Sequence, residues 1–267
     1  MRSRYLMIAA AGLGLLAAPA SAAVVDVTLT IRNLAPTNSI SFAPLRFGFH
    51  NGSFDAFNAG QVATAPIISI AEGGSGADWL PAFAAAEPQA VLGSSAGALT
   101  PGATQTTATF RVDTAVNPFF TFAAMVVPSN DFFIGNDDPR EYRLFDGLGN
   151  LLLSQIDQTA SEIWDAGSEA FDPANAAFLV GGNNDLRTPQ NGVVGFNFLE
   201  LAGFNGLATA AGYTFESNLT AGLPVYQINF SATAVPEPST WAVLLTGLVG
   251  MMLLGRRWTA GRPEGVA

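Results

Sequence analysis

A strict alternation of apolar and polar residues near the start of the chain most constrains its fold. Between residues 24 and 33, Val25, Val27, Leu29 and Ile31 are separated by single polar residues. A period of two places these four side chains on one face of a β-strand, whereas an amphipathic helix needs a period near 3.6. The segment is therefore predicted to be a strand with one face buried.

Similar short apolar runs recur along the chain. Glycine and proline residues separate them, with 28 Gly and 16 Pro in 267 residues, and these residues favour turns. Further strands are predicted at 40–50 with an interruption at Pro44, and at 106–112, 119–127, 141–145, 151–156, 191–201 and 225–232. Short helices are predicted at 67–72 and 79–86. Many short strands joined by turns indicate an all-β protein, an antiparallel β-sandwich with a few short helices.

Composition excludes several classes of function. The chain has no cysteine, which rules out disulfides, thiolate catalysis and cysteine zinc sites. Its single histidine, His50, leaves no imidazole cluster for a metal or a catalytic triad. The formal net charge is −10 and no residue is lysine, so no basic face is available for a nucleic acid.

The N-terminus has the features of a secretory signal peptide, predicted to span residues 1–22. Arg2 and Arg4 precede an apolar run from Tyr5 to Ala18, and Ala20-Ser-Ala22 forms a small-residue cleavage site. The run is too short for the alternative, an anchoring helix. We expect export by the Sec pathway and a mature domain over residues 23–234.

The C-terminus carries a second apolar segment. Residues 241–255 are followed by Arg256 and Arg257. Fifteen helical residues span roughly 22 Å against ~30 Å for a bilayer core, so a transmembrane helix over about 240–255 would be marginal. The arginines predict a cytoplasmic tail at 259–267 and place residues 23–234 outside the membrane.

The order of motifs over residues 235–258 resembles the PEP-CTERM sorting signal of Gram-negative bacteria. Pro236-Glu-Pro238 comes first, then the apolar segment, then the basic pair. The resemblance implies recognition by an exosortase, removal of the tail, and delivery to the outer envelope, cell surface or medium. A plain C-terminal anchor is the alternative.

Three acidic residues are candidate metal ligands. Asp131 follows the predicted strand 119–127 at a turn, and the loop Trp164-Asp-Ala-Gly-Ser-Glu169 holds Asp165 and Glu169 four residues apart. A hard cation such as Ca²⁺ takes six to eight oxygen ligands, and acids in flexible loops can converge on one ion. From spacing alone, the sequence favours ordinary turn chemistry for Asp165 and solvation for Glu169.

The same two segments resemble signatures of the spondin N-terminal domain. Met125-Val-Val-Pro-Ser-Asn-Asp-Phe-Phe-Ile-Gly135 is similar to its Pro-Ser-x-Asp-Trp/Phe-x-x-Gly motif, and residues 164–169 to its Trp/Tyr-Asp-Ala-Gly-Thr-Asp loop. The resemblance extends over about residues 24–232. It implies a β-sandwich that binds calcium through Asp131, Asp165 and Glu169 and serves matrix attachment, as in F-spondin and mindin. Glu169 stands where the animal domains have Asp, Asn130 replaces a proline, and the animal disulfides are missing.

The sequence thus predicts a secreted or envelope-associated, non-enzymatic protein with bound Ca²⁺ and a structural or adhesive role. Its expected partners are an exosortase, an exopolysaccharide or surface protein, and the membrane before processing. A hydrolase with a carboxylate pair among the same three acids, and a carbohydrate-binding module that uses exposed aromatics such as Trp164, are alternatives. Gly93-Ser-Ser-Ala-Gly97 matches a nucleophile-elbow pattern, but no histidine follows it and no strand-turn-helix pattern surrounds it.

Overall fold

The computed structural model describes residues 24–235 and 246–252. Its two α-helices outside 246–252 are α1 (Ala65–Ala71) and α2 (Trp79–Ala86), and residues 160–162 and 198–204 form 3₁₀ turns. The strands, in chain order, are β1 (Val24–Asn33), β2 (Ser41–Phe42), β3 (Arg46–His50), β4 (Val91–Ser94), β5 (Thr104–Thr106), β6 (Phe110–Asp113), β7 (Phe119–Val127), β8 (Phe132–Gly135), β9 (Tyr142–Arg143), β10 (Gln155–Thr159), β11 (Trp164–Asp165), β12 (Gly195–Phe196) and β13 (Pro224–Ala234).

The strands form two antiparallel sheets. The first has the order β10-β13-β1-β5, with β6 also paired to β1. The second has the order β12-β11-β8-β7-β3-β4, with β2 and β9 also paired to β7. The prediction that residues 24–33 form a strand with one buried face is confirmed. In β1 the side chains Val25, Val27, Leu29 and Ile31 are all buried, and their neighbours are partly exposed.

The two sheets pack face to face through aromatic side chains. Phe120 of β7 meets Phe230 of β13 with ring centroids 4.9 Å apart, and Phe42 of β2 meets Tyr226 at 4.6 Å. Edge-to-face pairs at these distances add ~0.5–1.5 kcal/mol each beyond the burial of their area. The result is a sandwich-like main core between the sheets.

A second core explains why β7 is apolar along nearly its whole length. Phe120 and Phe122 point into the main core, whereas Ala123 points to the opposite face of the sheet. There α1 and α2 cover the sheet with a smaller apolar cluster that includes Trp79, Phe83, Phe133 and Trp164. The two-sided burial of β7 gives a continuous apolar run in place of alternation.

Several predicted strands differ in extent from the structure. The predicted strand 106–112 is split into β5 and β6, because the hydroxyl of Thr107 accepts a hydrogen bond from the backbone N–H of Leu29 at 3.1 Å and interrupts the ladder. The strand predicted at 151–156 starts only at Gln155. The prediction at 191–201 is wrong for most of its length, because only β12 is extended and a 3₁₀ turn follows with Leu201 and Phe204 buried three residues apart.

The predicted end segments lie largely outside the described residues. The signal peptide, residues 1–22, falls there entirely, as do most of the sorting signal and the tail at 259–267. Of the predicted transmembrane helix over about 240–255, only 246–252 are described, and they are helical. Within 24–235 and 246–252, no helix has both the length and the apolar character needed to cross a bilayer.

Candidate functional site

The pairing of β8 with β11 brings the two predicted loops together. Asp165 lies opposite Phe132 and Trp164 opposite Phe133 in the antiparallel register. The backbone N–H of Ala166 then donates to the carbonyl of Asp131 at 3.1 Å, which extends the pairing beyond the strands. Residues 131 and 165, which are 34 positions apart in the sequence, therefore become neighbours at one end of the second sheet.

The carboxylate of Asp131 holds the turn that follows Asp165. Its Oδ2 accepts hydrogen bonds from the backbone N–H groups of Ser168 at 2.7 Å and Glu169 at 3.0 Å, and from the Ser168 hydroxyl at 3.2 Å. Its Oδ1 accepts none from the described residues. Asp131 is 2% exposed, and one of its oxygens organises the loop.

Asp165 closes the same turn from within. Its Oδ1 accepts from the backbone N–H of Gly167 at 2.7 Å, and its Oδ2 accepts from the side-chain amide of Asn197 at 3.0 Å. The same Asn197 amide donates to Glu200 at 3.2 Å. Asn197 thus links Asp165 to a further carboxylate that the sequence analysis did not single out.

Glycine at position 167 is a requirement of this turn. Gly167 has φ +66°, and a Cβ there would lie 2.7 Å from the backbone nitrogen of Val193 and 2.8 Å from its oxygen. The close approach allows Gly192 to donate to the carbonyl of Gly167 at 2.7 Å, so segment 187–192 runs alongside 167–170.

Glu169 is oriented towards a different set of partners. Its Oε1 accepts from the Asn130 amide at 3.1 Å, and its Oε2 lies 3.6 Å from Nε of Arg187 without a hydrogen bond. The residue is 1% exposed. The structure therefore brings the backbone of Glu169 to Asp131 and directs its carboxylate towards Asn130 and Arg187.

Three carboxyl groups in this region have raised pKa values, and burial is the main cause of each. Burial raises the pKa of Asp131 to about 7, hydrogen bonds from Glu169 and Ser168 oppose the rise, and the negative charge of Asp165 adds to it. Burial also raises the pKa values of Glu169 and Glu200 above the ordinary range, and Asp165 contributes at Glu200. Buried carboxyls in this situation are stabilised in their charged form by a cation.

A small cleft lies over the turn. Its volume is about 150 Å³, and its lining includes Val62, Gly167, Ser168 and Gly192. The cleft reaches backbone of the loop between Asp165 and Glu169. No group of three or more His, Cys, Asp or Glu side chains within 24–235 and 246–252 is already drawn together as a ligand set for a metal ion.

Two partners of the acids escaped the sequence analysis. Asn130 stands where the spondin motif has a proline, and its amide donates to Glu169 while its Oδ1 accepts from the backbone N–H of Asp172 at 3.1 Å. Arg187 is the sole arginine between Arg143 and Arg256. A rare positive charge in so acidic a chain was the available signal for a role beside a carboxylate.

The remaining candidates have structural roles. His50 is fully buried beside Asn51-Gly52, as a packed residue, and its Nδ1 lies 3.1 Å from Oε1 of Glu87. In the nucleophile-elbow pattern, Gly93 and Ser94 are the last two residues of β4, and Ser95 leads into a bend that is not followed by a helix. Trp164, the aromatic proposed for sugar binding, is 7% exposed because Phe196 stacks on it with centroids 3.8 Å apart.

Comparison with known proteins supports the predicted resemblance over part of the chain. A family model described as Spondin_N, the spondin N-terminal domain, matches residues 33–140. The matched region contains Asp131 and ends before Asp165 and Glu169. No curated protein matches the chain.

Proposed function

We propose that this protein is an exported, calcium-binding, spondin-like domain in which Asp131, Asp165 and Glu169 hold the ion. The observation that carries the proposal is the buried carboxyl of Asp131, whose pKa is raised to about 7 by burial and by Asp165. A divalent cation would keep Asp131 charged beside Asp165 and would cross-link the two loops.

The donor atoms suit a hard cation. Asp131 has an oxygen that accepts no hydrogen bond from the described residues, and Oε2 of Glu169 is buried without a hydrogen-bond partner. Carboxylate oxygens together with loop carbonyls are the ligands that Ca²⁺ prefers. The ion would supply charge compensation and rigidity rather than chemistry.

A calcium-dependent change in thermal stability tests this function. We expect Ca²⁺ added to chelator-treated protein to raise the melting temperature, because binding only the folded state stabilises it by ~2.7 kcal/mol at 100 times the dissociation constant. Asp165→Asn should abolish the rise. Asp26→Asn removes the same charge from an exposed ion pair with Arg111 on the other sheet and should keep the rise. An unchanged wild-type melting curve would refute the proposal.

A structural or adhesive role fits these residues better than hydrolysis does. Asp131, Asp165 and Glu169 are 2%, 7% and 1% exposed, so a polysaccharide has little access to the carboxyls that a glycosidase would need. The family whose model matches residues 33–140 is not a known enzyme family. Hydrolysis of a polysaccharide panel that is lost in Asp131→Asn would overturn this choice.

The site of action proposed is the bacterial surface or an exopolysaccharide matrix, reached by Sec export and exosortase processing. Support comes from the motifs at residues 1–22 and 235–258. Intact-mass analysis of exported protein tests the route. Loss of both ends is expected, and a retained Pro236-Glu-Pro238 tail would contradict exosortase cleavage.

Carbohydrate binding is a second candidate, favoured by Phe196. Phe196 is 56% exposed and stacks on Trp164, and the next residue in the chain, Asn197, is hydrogen-bonded to Glu200. An aromatic face with neighbouring hydrogen-bonding groups suits a sugar ring. Saturable glycan-array binding that disappears in Phe196→Ala, with the melting temperature unchanged, would support it, and equal binding by the variant would exclude this surface.

A further inference from the structure

Arg187 lies at the junction of three segments that surround Glu169. Its Nε donates to Oε2 of Glu72, at the C-terminal end of α1, at 2.7 Å and lies 3.6 Å from Oε2 of Glu169. Its Nη1 donates to Oδ1 of Asn184 at 3.4 Å. One guanidinium therefore serves two carboxylates, and only Glu72 receives a hydrogen bond from it.

The backbone fixes Arg187 in this position. Ala170 donates to the carbonyl of Thr188 at 2.7 Å, and Gln190 donates to that of Ser168 at 3.0 Å. The Asn184 amide donates to the carbonyl of Glu72 at 3.1 Å. The segment that carries Arg187 is thus bound both to α1 and to the loop of the proposed calcium site, which places the guanidinium beside Glu169.

Glu169 consequently has different side-chain partners from the two aspartates. Its carboxylate lies between the Asn130 amide, at 3.1 Å, and Nε of Arg187, at 3.6 Å. The carboxylates of Asp131 and Asp165 instead accept hydrogen bonds from the backbone of Ser168 and Gly167 in the turn between them. For Glu169 to join the aspartates around one ion, its carboxylate must leave Arg187 and the Asn130 amide.

We propose that Arg187 is a tethered cation that competes with the calcium ion for Glu169 and so weakens the affinity of the site. This inference rests on the proposed calcium function and adds a residue that sets its affinity. Arg187 occupies one side of the buried oxygen that the ion would take, and its positive charge also opposes a second cation nearby. Arg187 therefore acts as a positioning residue for Glu169.

Calorimetric titration of the chelator-treated full-length chain with CaCl₂ tests the inference. Arg187→Gln is expected to lower the dissociation constant about fivefold, the factor that corresponds to a partly exposed ion pair of ~1 kcal/mol. Arg140→Gln is the matched control, since Arg140 lies near Gly52, away from this loop, and donates there at 3.2 Å. Its calcium affinity should stay at the wild-type value.

A second variant keeps the test decisive if Arg187→Gln fails to fold. Glu72→Gln removes the stronger partner of Arg187, which then turns wholly to Glu169, and weaker calcium binding is expected. Equal or weaker binding by a folded Arg187→Gln, or unchanged binding by Glu72→Gln, would overturn the competition while the calcium site stands. An absence of calcium binding in the wild type and in both variants would overturn the calcium function itself, and the competition with it.

Discussion

In the absence of calcium, replacing Asp131 with Asn should make the protein more stable at pH 8 and should remove part of its pH dependence. The carboxyl has an ordinary pKa of 3.8 and a folded-state pKa of about 7. Between these values the folded state binds more protons than the unfolded state, so the free energy of unfolding falls as the pH rises. Each unit of difference between the two pKa values corresponds to ~1.4 kcal/mol, so ionisation of Asp131 lowers the free energy of unfolding by up to ~4 kcal/mol.

The assay is urea unfolding in the presence of a chelator, followed by tryptophan fluorescence, at pH values from 4 to 8. The measured quantity is the free energy of unfolding of Asp131→Asn minus that of the wild type. It should be near zero at pH 4, where the wild-type carboxyl is protonated in the folded state, and should reach up to ~4 kcal/mol at pH 8. Saturating calcium at pH 8 should reverse the order, because only the wild type retains the ligand.

Subtraction of the two curves is needed because other groups titrate in the same range. Burial lowers the pKa of His50 below its ordinary value of 6.5, so its contribution to stability is present above pH 6.5 and is lost as the pH falls from there through the folded-state pKa. This slope is opposite to that of Asp131 and is common to both proteins. A difference between them that stays constant from pH 4 to pH 8 would refute the electrostatic account of Asp131.

Two further predictions concern turns of the fold, each measured as a free energy of unfolding in urea. Glu87→Ala should lower the free energy of unfolding by ~3–5 kcal/mol, because the Glu87 carboxylate accepts hydrogen bonds from the backbone N–H groups of residues 51, 53 and 54 and lies against His50. Glu87→Gln retains a hydrogen-bond acceptor and should cost less. A loss below ~1 kcal/mol would contradict the role of that carboxylate. Gly167→Ala should cost ~1–3 kcal/mol because of its positive φ and the backbone of Val193, whereas Gly147→Ala, where a Cβ meets nothing within 4 Å, should be nearly neutral. Equal effects of the two glycine substitutions would contradict the required turn geometry.

The sequence was sufficient for features that depend on local periodicity. The alternation in residues 25–31 and the run at 119–127 both correspond to strands, and both short helices form where they were predicted. Side-chain direction along a strand repeats every two residues, so burial of one face is visible in the order of residues alone. The break at Pro44 was visible for a similar reason, since proline cannot donate to a ladder.

Features that depend on long-range partners were not visible. The break at Thr107 arises from a hydroxyl that bonds to Leu29, 78 positions away. At the candidate site, the resemblance to the two spondin motifs singled out Asp131, Asp165 and Glu169, but the partners that orient Glu169 come from positions 130 and 187. Short polar loops carry little periodic information, so tertiary contacts decide where their side chains point.

The most direct test of the calcium site is a crystal structure of the protein grown with CaCl₂, with anomalous diffraction recorded at a wavelength where calcium scatters strongly. We predict an anomalous peak that contacts carboxylate oxygens of Asp131, Asp165 and Glu169 at ~2.3–2.6 Å. The Glu169 carboxylate should have moved away from Arg187. A map without a peak at these residues, with Glu169 still beside Arg187 and Asn130, would contradict the account.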